Sequence, residues 1–335
     1  MVGNRRIGIT GMMPIELIFD SGAVPLDIRN FFIQHPDRVT YIQRGEMDGI
    51  PDNAGIMTKG IYGAVMENKI EEVVVIFQKD SIKSYALAEM FESQGVIVYR
   101  FNFPEHRNRQ SLKLEIENLA KQLKMVNLEN LEYWRFKLNE IRELARRIDE
   151  LTYEKNIVSG YENHKYLASM TDFEGDTELY MTKLYNFLDE IKNEKPFKQE
   201  IRLGFIGEPP IFPEIYKIIE RCGARVVFNE VQRQYAMPYP ADSVIDQYLK
   251  YTFPYDISKR VEDINAEIER RNIHGIIHYI DITGQAFADE ILFRREIGLP
   301  ILTVEGGNSL VVNVKTITQI SNFVNMLREK MTYQK

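Results

Sequence analysis

The chain has 335 residues, 44% of them hydrophobic and 27% charged, with 42 basic residues against 49 acidic ones. These are the proportions of a globular protein of two domains, or two plus an insert, and they exclude overall disorder. The net charge of -7, without a long run of either sign, excludes the basic stripe of a nucleic-acid surface, and the single cysteine, Cys222, excludes an intrachain disulfide and any site of three or four thiolates from this chain.

The opening "MVGNRRIGIT" leads into an apolar stretch broken by Gly11, Pro14, Glu16 and Asp20. That pattern is neither a signal peptide nor a membrane span, so a cytoplasmic location is expected. A short strand ends at Gly11, and a helical run starts after Pro14 and closes at Gly22. Next, "IYGAVMENKI" predicts a helix, "EEVVVIFQ" a buried strand, "SIKSYALAEMFESQG" a helix ending on glycine, and "VIVYRFNF" a strand. From about Arg109 to about Lys198 the strand signal disappears: "SLKLEIENLAKQLKMV", "NLEYWRFKLNEIRELARRIDELTYEK" and "ELYMTKLYNFLDEIKNE" repeat apolar residues at three and four spacing. The polar "NEKPFKQE" reads as a linker.

Beyond it the alternation resumes. "IRLGFIG", "ARVVFNE", "IHGIIHYID" and "LPILTVEG" predict strands, with "PEIYKIIERCG", "SKRVEDINAEIERRN", "FADEILFRREIG" and "TITQISNFVNMLREKM" as helices. Apolar strands alternating with helices imply parallel sheets covered on both faces. The expected architecture is therefore two Rossmann-like parallel-sheet α/β domains with a helical insert between them: an N-terminal α/β domain (1–108), a helical domain (109–199) and a C-terminal α/β domain (200–335).

Open sheets of this kind bind ligands beyond the carboxyl ends of their strands. The glycines of "GITGMMP" and "GFIGEPP" follow strands, but neither completes G-x-G-x-x-G and there is no phosphate-binding G-x-x-x-x-G-K-[ST], so they read as tight turns. His35, His106, His164, His274 and His278 lack metal-ligand spacing. His278 stands out because it lies near the end of a buried strand. Asp80 and Asp281 occupy similar strand-end positions in the two halves, where a carboxylate serves acid–base work or, more commonly, caps a helix. Residues alone assign no catalytic group and no metal site.

The chain resembles the 2-hydroxyacyl-CoA dehydratase family, which includes the benzoyl-CoA reductase subunits. The likeness runs through "GMMPIELIFDSGAVPLDI", with its P-x-E helix, "KGIYGAVMENKIEEVVVIFQKDSIKSYALAEMF" and "NIVSGYENHKYLASMTDFEGDTELYMTKLYNFLDEI". It continues in "RCGARVVFNE", "HGIIHY", "GQAFADEILFRREIGLPILTVEG" and "TQISNFVNML". The resemblance implies a subunit that holds a 4Fe-4S cluster through cysteines on strand-end loops and receives an electron from an ATP-hydrolysing activator. Here the implied cysteine positions, near Asn53 to Gly55, at about Lys79, and in the loop after Tyr279, carry other residues. The loop "IDITGQ" is shorter than the resemblance implies, and Gln232 stands where many members have another cysteine. Gly306 and Gly307 replace an expected Gly-Asp, and Gln319 an expected arginine.

Cys222 matches none of the implied ligand positions and reads as a structural thiol at a helix end. Two function classes follow. The first is a cluster-free, non-catalytic subunit that pairs, as a dimer, with a homologous cluster-bearing subunit or with itself, its cofactor residing in the partner. The second is a stand-alone enzyme or ligand-binding protein using an inter-domain crevice, with Met12, Met13, Glu16, Lys79, Asp80, Gln232, His278, Asp281 and Gln285 as candidate lining. Within it, Lys79 and His278 are expected to meet an anionic or carbonyl group, oriented by Asp80 and Asp281.

Overall fold

A computed structural model describes residues 5–78, 82–255, 257–280, 285–306 and 309–333, without the side chains of 285–288. Two four-stranded sheets, parallel throughout, form the frame. The first contains β1 (Arg6–Ile9), β2 (Val24–Asp27), β3 (Glu72–Phe77) and β4 (Ile97–Asn102) in the order β2-β1-β3-β4. The second contains β5 (Ile201–Gly207), β6 (Ala224–Asn229), β7 (Gly275–Ile280) and β8 (Ile301–Glu305) in the order β6-β5-β7-β8. The expected α/β class, with two Rossmann-like sheets, is what the chain adopts.

In both sheets the chain steps outward by one strand, returns across the first strand and continues on its other side. The strand order therefore reverses between β1 and β3, and again between β5 and β7. Such switch points open a gap at the carboxyl ends of the two strands, because the connecting loops lead to opposite faces.

The buried strands follow directly from their side chains. In β3 all residues after Glu72 are buried, in β7 all before Ile280, and β6 is buried throughout. Helices on both faces leave no solvated side, so the runs are continuously apolar rather than alternating. β6 remains buried even though it is an edge strand, and Arg225 lies within it. The guanidinium satisfies the loop beside it, donating to Asn156 Oδ1 at 2.6 Å and to the carbonyls of Thr152 and Val158 at 2.9 and 2.8 Å.

Packing groups the chain into two compact units. One comprises Met1–Arg142, Ser169–Thr182 and Met237–Asp256, the other Glu143–Ala168, Lys183–Ala236 and Ile257–Lys335. Residues 109–198 contain no strand among those described, and carry the helices Arg109–Gln122, Leu131–Tyr153, Gly160–Ala168 and Thr177–Ile191. The sequence boundaries at 108/109 and 199/200 treat this stretch as one body, whereas contacts share its residues between the two units.

In the first unit, helices Arg38–Met47 and Ile56–Glu67 approach closely through glycine. A methyl group on Gly63 would stand 1.9 Å from the Tyr41 carbonyl oxygen, and one on Gly45 would stand 3.0 Å from the Lys59 backbone. The absence of side chains at these two positions lets the backbones meet. Nearby, Lys59 is buried but bonds Glu46 at 2.8 Å and Asp52 at 2.7 Å, so its ammonium is paired.

Candidate functional site

The carboxyl ends of the strands were the expected location of function, and each unit places a distinct polar cluster on its first strand-end segments. In the first unit, Thr10 follows β1 and its hydroxyl accepts the Ile76 amide at 3.0 Å, tying the ends of β1 and β3 together. Met12 and Met13 come next, buried in the core. Glu16 then opens helix Glu16–Asp20 and is completely buried.

A buried carboxylate requires partners, and Glu16 has three. Its Oε1 accepts from Arg142 at 2.9 Å and from Gln247 at 2.9 Å, and its Oε2 accepts the Tyr248 hydroxyl at 2.9 Å. Tyr248 also receives the Ile15 amide at 3.3 Å, which fixes the helix entry. Arg142 is itself fully buried, with its guanidinium 5.9 Å from the centre of the Phe173 ring. Both charges are thereby fixed in the interior of the unit.

In the second unit, helix Glu230–Tyr235 follows β6 directly, and all six of its residues are buried. Four of them are polar, and each is met. Glu230 accepts the Gly207 amide at 2.9 Å and pairs with Arg260 at 2.6 Å. Arg233 reaches Asp263 at 3.0 Å and Glu267 at 3.1 Å, and Gln234 donates to Asp263 at 3.0 Å. Gln232 shares a 2.9 Å hydrogen bond with His164 Nδ1. Burial pushes His164 down to about 4, so the ring is neutral at physiological pH.

The network extends inward. Arg271 joins Glu267 at 2.5 Å to Asp149 at 2.6 Å, Asp149 receives Asn163 at 2.9 Å, and Asn163 receives Asn229 at 2.7 Å. Tyr216 completes the row by donating to Asn229 at 2.7 Å. The sequence offered no sign of this row, because its members lie on separate elements.

At the second switch point, Ile206 is paired with His278 and Gly207 with Tyr279. His278 is 3% exposed, and its Nδ1 lies 2.5 Å from Glu290 on helix Gln285–Glu296. Glu290 also receives Arg294 at 2.5 Å and the Thr303 hydroxyl of β8. Burial alone would raise the Glu290 pKa, but the hydrogen bonds from His278 and Thr303 and the charges beside them bring it down to about 2.

The nine candidate side chains are thus divided. Met12, Met13 and Glu16 belong to the first unit, and Gln232, His278 and Gln285 to the second. Lys79, Asp80 and Asp281 lie outside the described residues, and Gln285 begins its helix with its side chain outside the description. Of the rest, Glu16, Gln232 and His278 carry specific polar partners. Arg142 and Glu290 are partners that sequence reasoning did not name, and His164 was noted there only as a histidine without metal-ligand spacing.

Cys222 ends helix Ile215–Arg221, two residues before β6 begins, and so lies at the amino edge of the second sheet. Its carbonyl accepts Arg328 Nη2 at 3.1 Å. A cavity of about 580 Å³ opens at this same edge, lined in part by Ile201, Glu220, Gly223, Arg328 and Met331. Both features are at the opposite end of the strands from the switch point.

Two parallel sheets, each with a reversal of strand order, define a doubly wound α/β protein. Within that class, the family model described as 2-hydroxyglutaryl-CoA dehydratase, D-component, matches residues 10–327, and the chain belongs to that family. No curated protein matches it. The donor set does not fit a thiolate-held iron–sulfur cluster: the chain has one cysteine, at the amino edge of its sheet, and the described residues contain no group of three or more His, Cys, Asp or Glu side chains arranged to hold a metal ion. No helix among the described residues is long and apolar enough to cross a membrane.

Proposed function

We propose that this chain is a cluster-free, non-catalytic subunit of a 2-hydroxyacyl-CoA dehydratase-like or acyl-CoA reductase-like complex, a lyase or a reductase as a whole. The observation that carries the reading is the thiol count, one cysteine in 335 residues, set beside membership of the family. A soft cluster needs several thiolates, and one cannot replace three. The chain then supplies fold and assembly surface, and a homologous subunit supplies the 4Fe-4S cluster, with an ATP-dependent activator as its electron source. Pairing with a second copy of itself is the other form of the same dimer.

The test is iron content. Purified without oxygen and supplied with iron and sulfide, the isolated chain is expected to bind no stoichiometric cluster. A charge-transfer band near roughly 400 nm with about four irons per chain would overturn the reading.

A second reading is a ligand-binding or enzymatic role at the strand ends, in the cytoplasm and independent of any partner. The specific observation in its favour is the His278–Glu290 pair at the β5–β7 switch point. Under this reading the isolated chain binds a small molecule, and replacing His278 weakens that binding without disturbing assembly.

A further inference from the structure

The cavity at the amino edge of the second sheet gathers charges that do not neutralise one another. The chain entering β5 supplies Lys198 and Glu200 to its wall, helix Ile215–Arg221 supplies Glu220, and helix Val314–Tyr333 supplies Arg328. All of these elements belong to the second unit. Two of the side chains are cations and two are acids, yet none of the four makes an ion pair among the described residues.

The fold holds the charges apart. Arg328 donates from Nη1 to Asn325 Oδ1 at 2.8 Å and from Nη2 to the Cys222 carbonyl at 3.1 Å, and neither acceptor carries a charge. A methyl group on Gly223 would stand 2.7 Å from Nη2, so the bare turn lets the guanidinium lie against the end of helix Ile215–Arg221. Glu220 is the complement. It is half-buried, and burial raises its carboxyl pKa above the ordinary value, with Arg225 opposing and Glu162 adding to the rise. A carboxyl in that state gains from a cation brought beside it.

The rest of the wall narrows the occupant. Gln199 has its side-chain carbonyl oxygen buried without a donor, and an unmet acceptor of this kind is stabilised by an N–H that reaches it. Ile201 and Met331 add apolar surface. At about 580 Å³ the space exceeds what an inorganic ion fills and lies in the range of small-molecule sites, roughly 300 to 1,000 Å³.

We propose that this cavity binds a small zwitterion, an amino acid or short peptide with free termini, its carboxylate on Arg328 and Lys198 and its ammonium on Glu220. Opposite charges fixed apart on one wall favour a ligand that carries both. A simple anion meets Glu200 and Glu220 as well, and a simple cation meets Arg328 and Lys198. A peptide also brings N–H donors of the kind Gln199 lacks, which separates the two sources of this chemistry. The site is at the other end of the strands from the switch point and rests on neither reading above.

The full chain, labelled with ¹³C at its methionine methyls and with the Met331 signal assigned through Met331→Leu, reports on this wall. Alanine, dialanine and trialanine are titrated beside their N-acetyl and C-terminal amide forms, which keep one charge each. The expected result is a shift of the Met331 methyl by the zwitterions, with binding about three- to tenfold tighter than either capped form of the same length. Tighter binding of the peptides than of alanine assigns a peptide site, and the reverse order an amino-acid site. Glu220→Gln is expected to bring the zwitterion down to the level of its N-acetyl form, and Arg328→Gln to the level of its amide form. Lys198 is exposed, so Lys198→Gln keeps the anionic end testable if the Arg328 change loosens the turn: it is expected to weaken the free-carboxylate forms about twofold and leave the amide form unchanged. Equal binding of free and capped forms, a zwitterion advantage that survives Glu220→Gln, or no Met331 response to any zwitterion would each overturn the proposal. Iron content and partner assembly test the subunit reading and are measured separately.

Discussion

The backbone amide of Asp27 donates to the carboxylate of Asp172 at 2.8 Å, placing two buried acids in one environment. Asp27 caps helix Ile28–Gln34 by accepting the amides of Arg29 and Asn30 at 2.9 and 3.0 Å, and Asp172 accepts the Glu174 amide at 3.0 Å. Burial raises both carboxyl pKa values, and the charge of Asp27, with a smaller contribution from Glu174, helps push Asp172 up to about 7. Arg29 acts in the other direction on Asp27.

The consequence is a pH dependence of stability in the first unit. Between the ordinary aspartate value of 3.8 and about 7, the folded chain holds a proton that the unfolded chain has released. Stability therefore falls as pH rises through that window. Asp172→Asn is expected to shrink the loss between pH 5 and pH 8, a loss on the order of 1 to 3 kcal/mol for a shift of this kind. Urea midpoints at the two pH values check it, and an unchanged difference would remove the pair as the cause.

Glu16 lies within a closed set of partners, and the neighbouring Arg142 already has Nε and Nη2 without hydrogen bonds among the described residues. Glu16→Ala would leave that guanidinium buried without its counter-charge. A destabilisation of about 3 to 5 kcal/mol is expected, since breaking a buried pair from one side costs far more than the pair is worth. Denaturant unfolding of the variant measures it, and a cost below about 1 kcal/mol would mean that water satisfies Arg142.

Gly63 tests the backbone contact between helices Arg38–Met47 and Ile56–Glu67. In the interior of an exposed helix, replacing glycine by alanine gains about 1 kcal/mol of helix propensity. Here the new methyl would meet the Tyr41 carbonyl at 1.9 Å, a backbone atom that has no rotamer to escape into. Gly63→Ala is expected to destabilise by about 2 to 3 kcal/mol or more, reversing the sign of the propensity effect. A thermal midpoint at or above that of the unsubstituted chain would show that the helices separate at little cost.

The sheets were legible in the sequence because strands buried on both faces leave unbroken apolar runs, as in "EVVVIF" and "GIIHYI". β2 was not, being four residues long with Pro25 inside it; proline is tolerated there because β2 is an edge strand. Helix Glu230–Tyr235 escaped notice for the opposite reason. Its sequence, "EVQRQY", looks solvated, yet every residue is buried, because Arg260, Asp263, Glu267 and His164 come from elsewhere to meet it. The same limit applies to the site. His278 was visible as a strand-end histidine, whereas Glu290 lay among ordinary helix charges and became its partner only through the fold.

The Cys222 side chain is half-buried at a helix end, and the neighbouring turn depends on Gly223 with its φ of 87°. Only the backbone of Cys222 makes the contact to Arg328. Cys222→Ser is expected to cost about 1 kcal/mol or less and to leave assembly and ligand binding intact. Loss of either with the fold preserved, judged by circular dichroism, would give the thiol a functional role.

His164 supplies a pH effect of opposite sign in the second unit. Its ring is held by Gln232 and lies 5.1 Å from the Tyr216 ring, and burial has lowered its pKa from 6.5 to about 4. Between those values the unfolded chain binds a proton that the folded chain refuses, so this contribution to stability is full above about 6.5 and declines as pH falls toward 4. Asp172 makes the first unit more stable over the same descent, and the two effects partly conceal each other in a measurement on the whole chain. Substituting each residue separates them. His164→Gln, which cannot titrate, is expected to flatten the acid-side decline seen by hydrogen exchange in β6, while Asp172→Asn leaves that decline in place. If β6 amides open with the same pH dependence in His164→Gln as in the unsubstituted chain, the ring is already protonated in the folded state and its neutral bond to Gln232 is wrongly assigned.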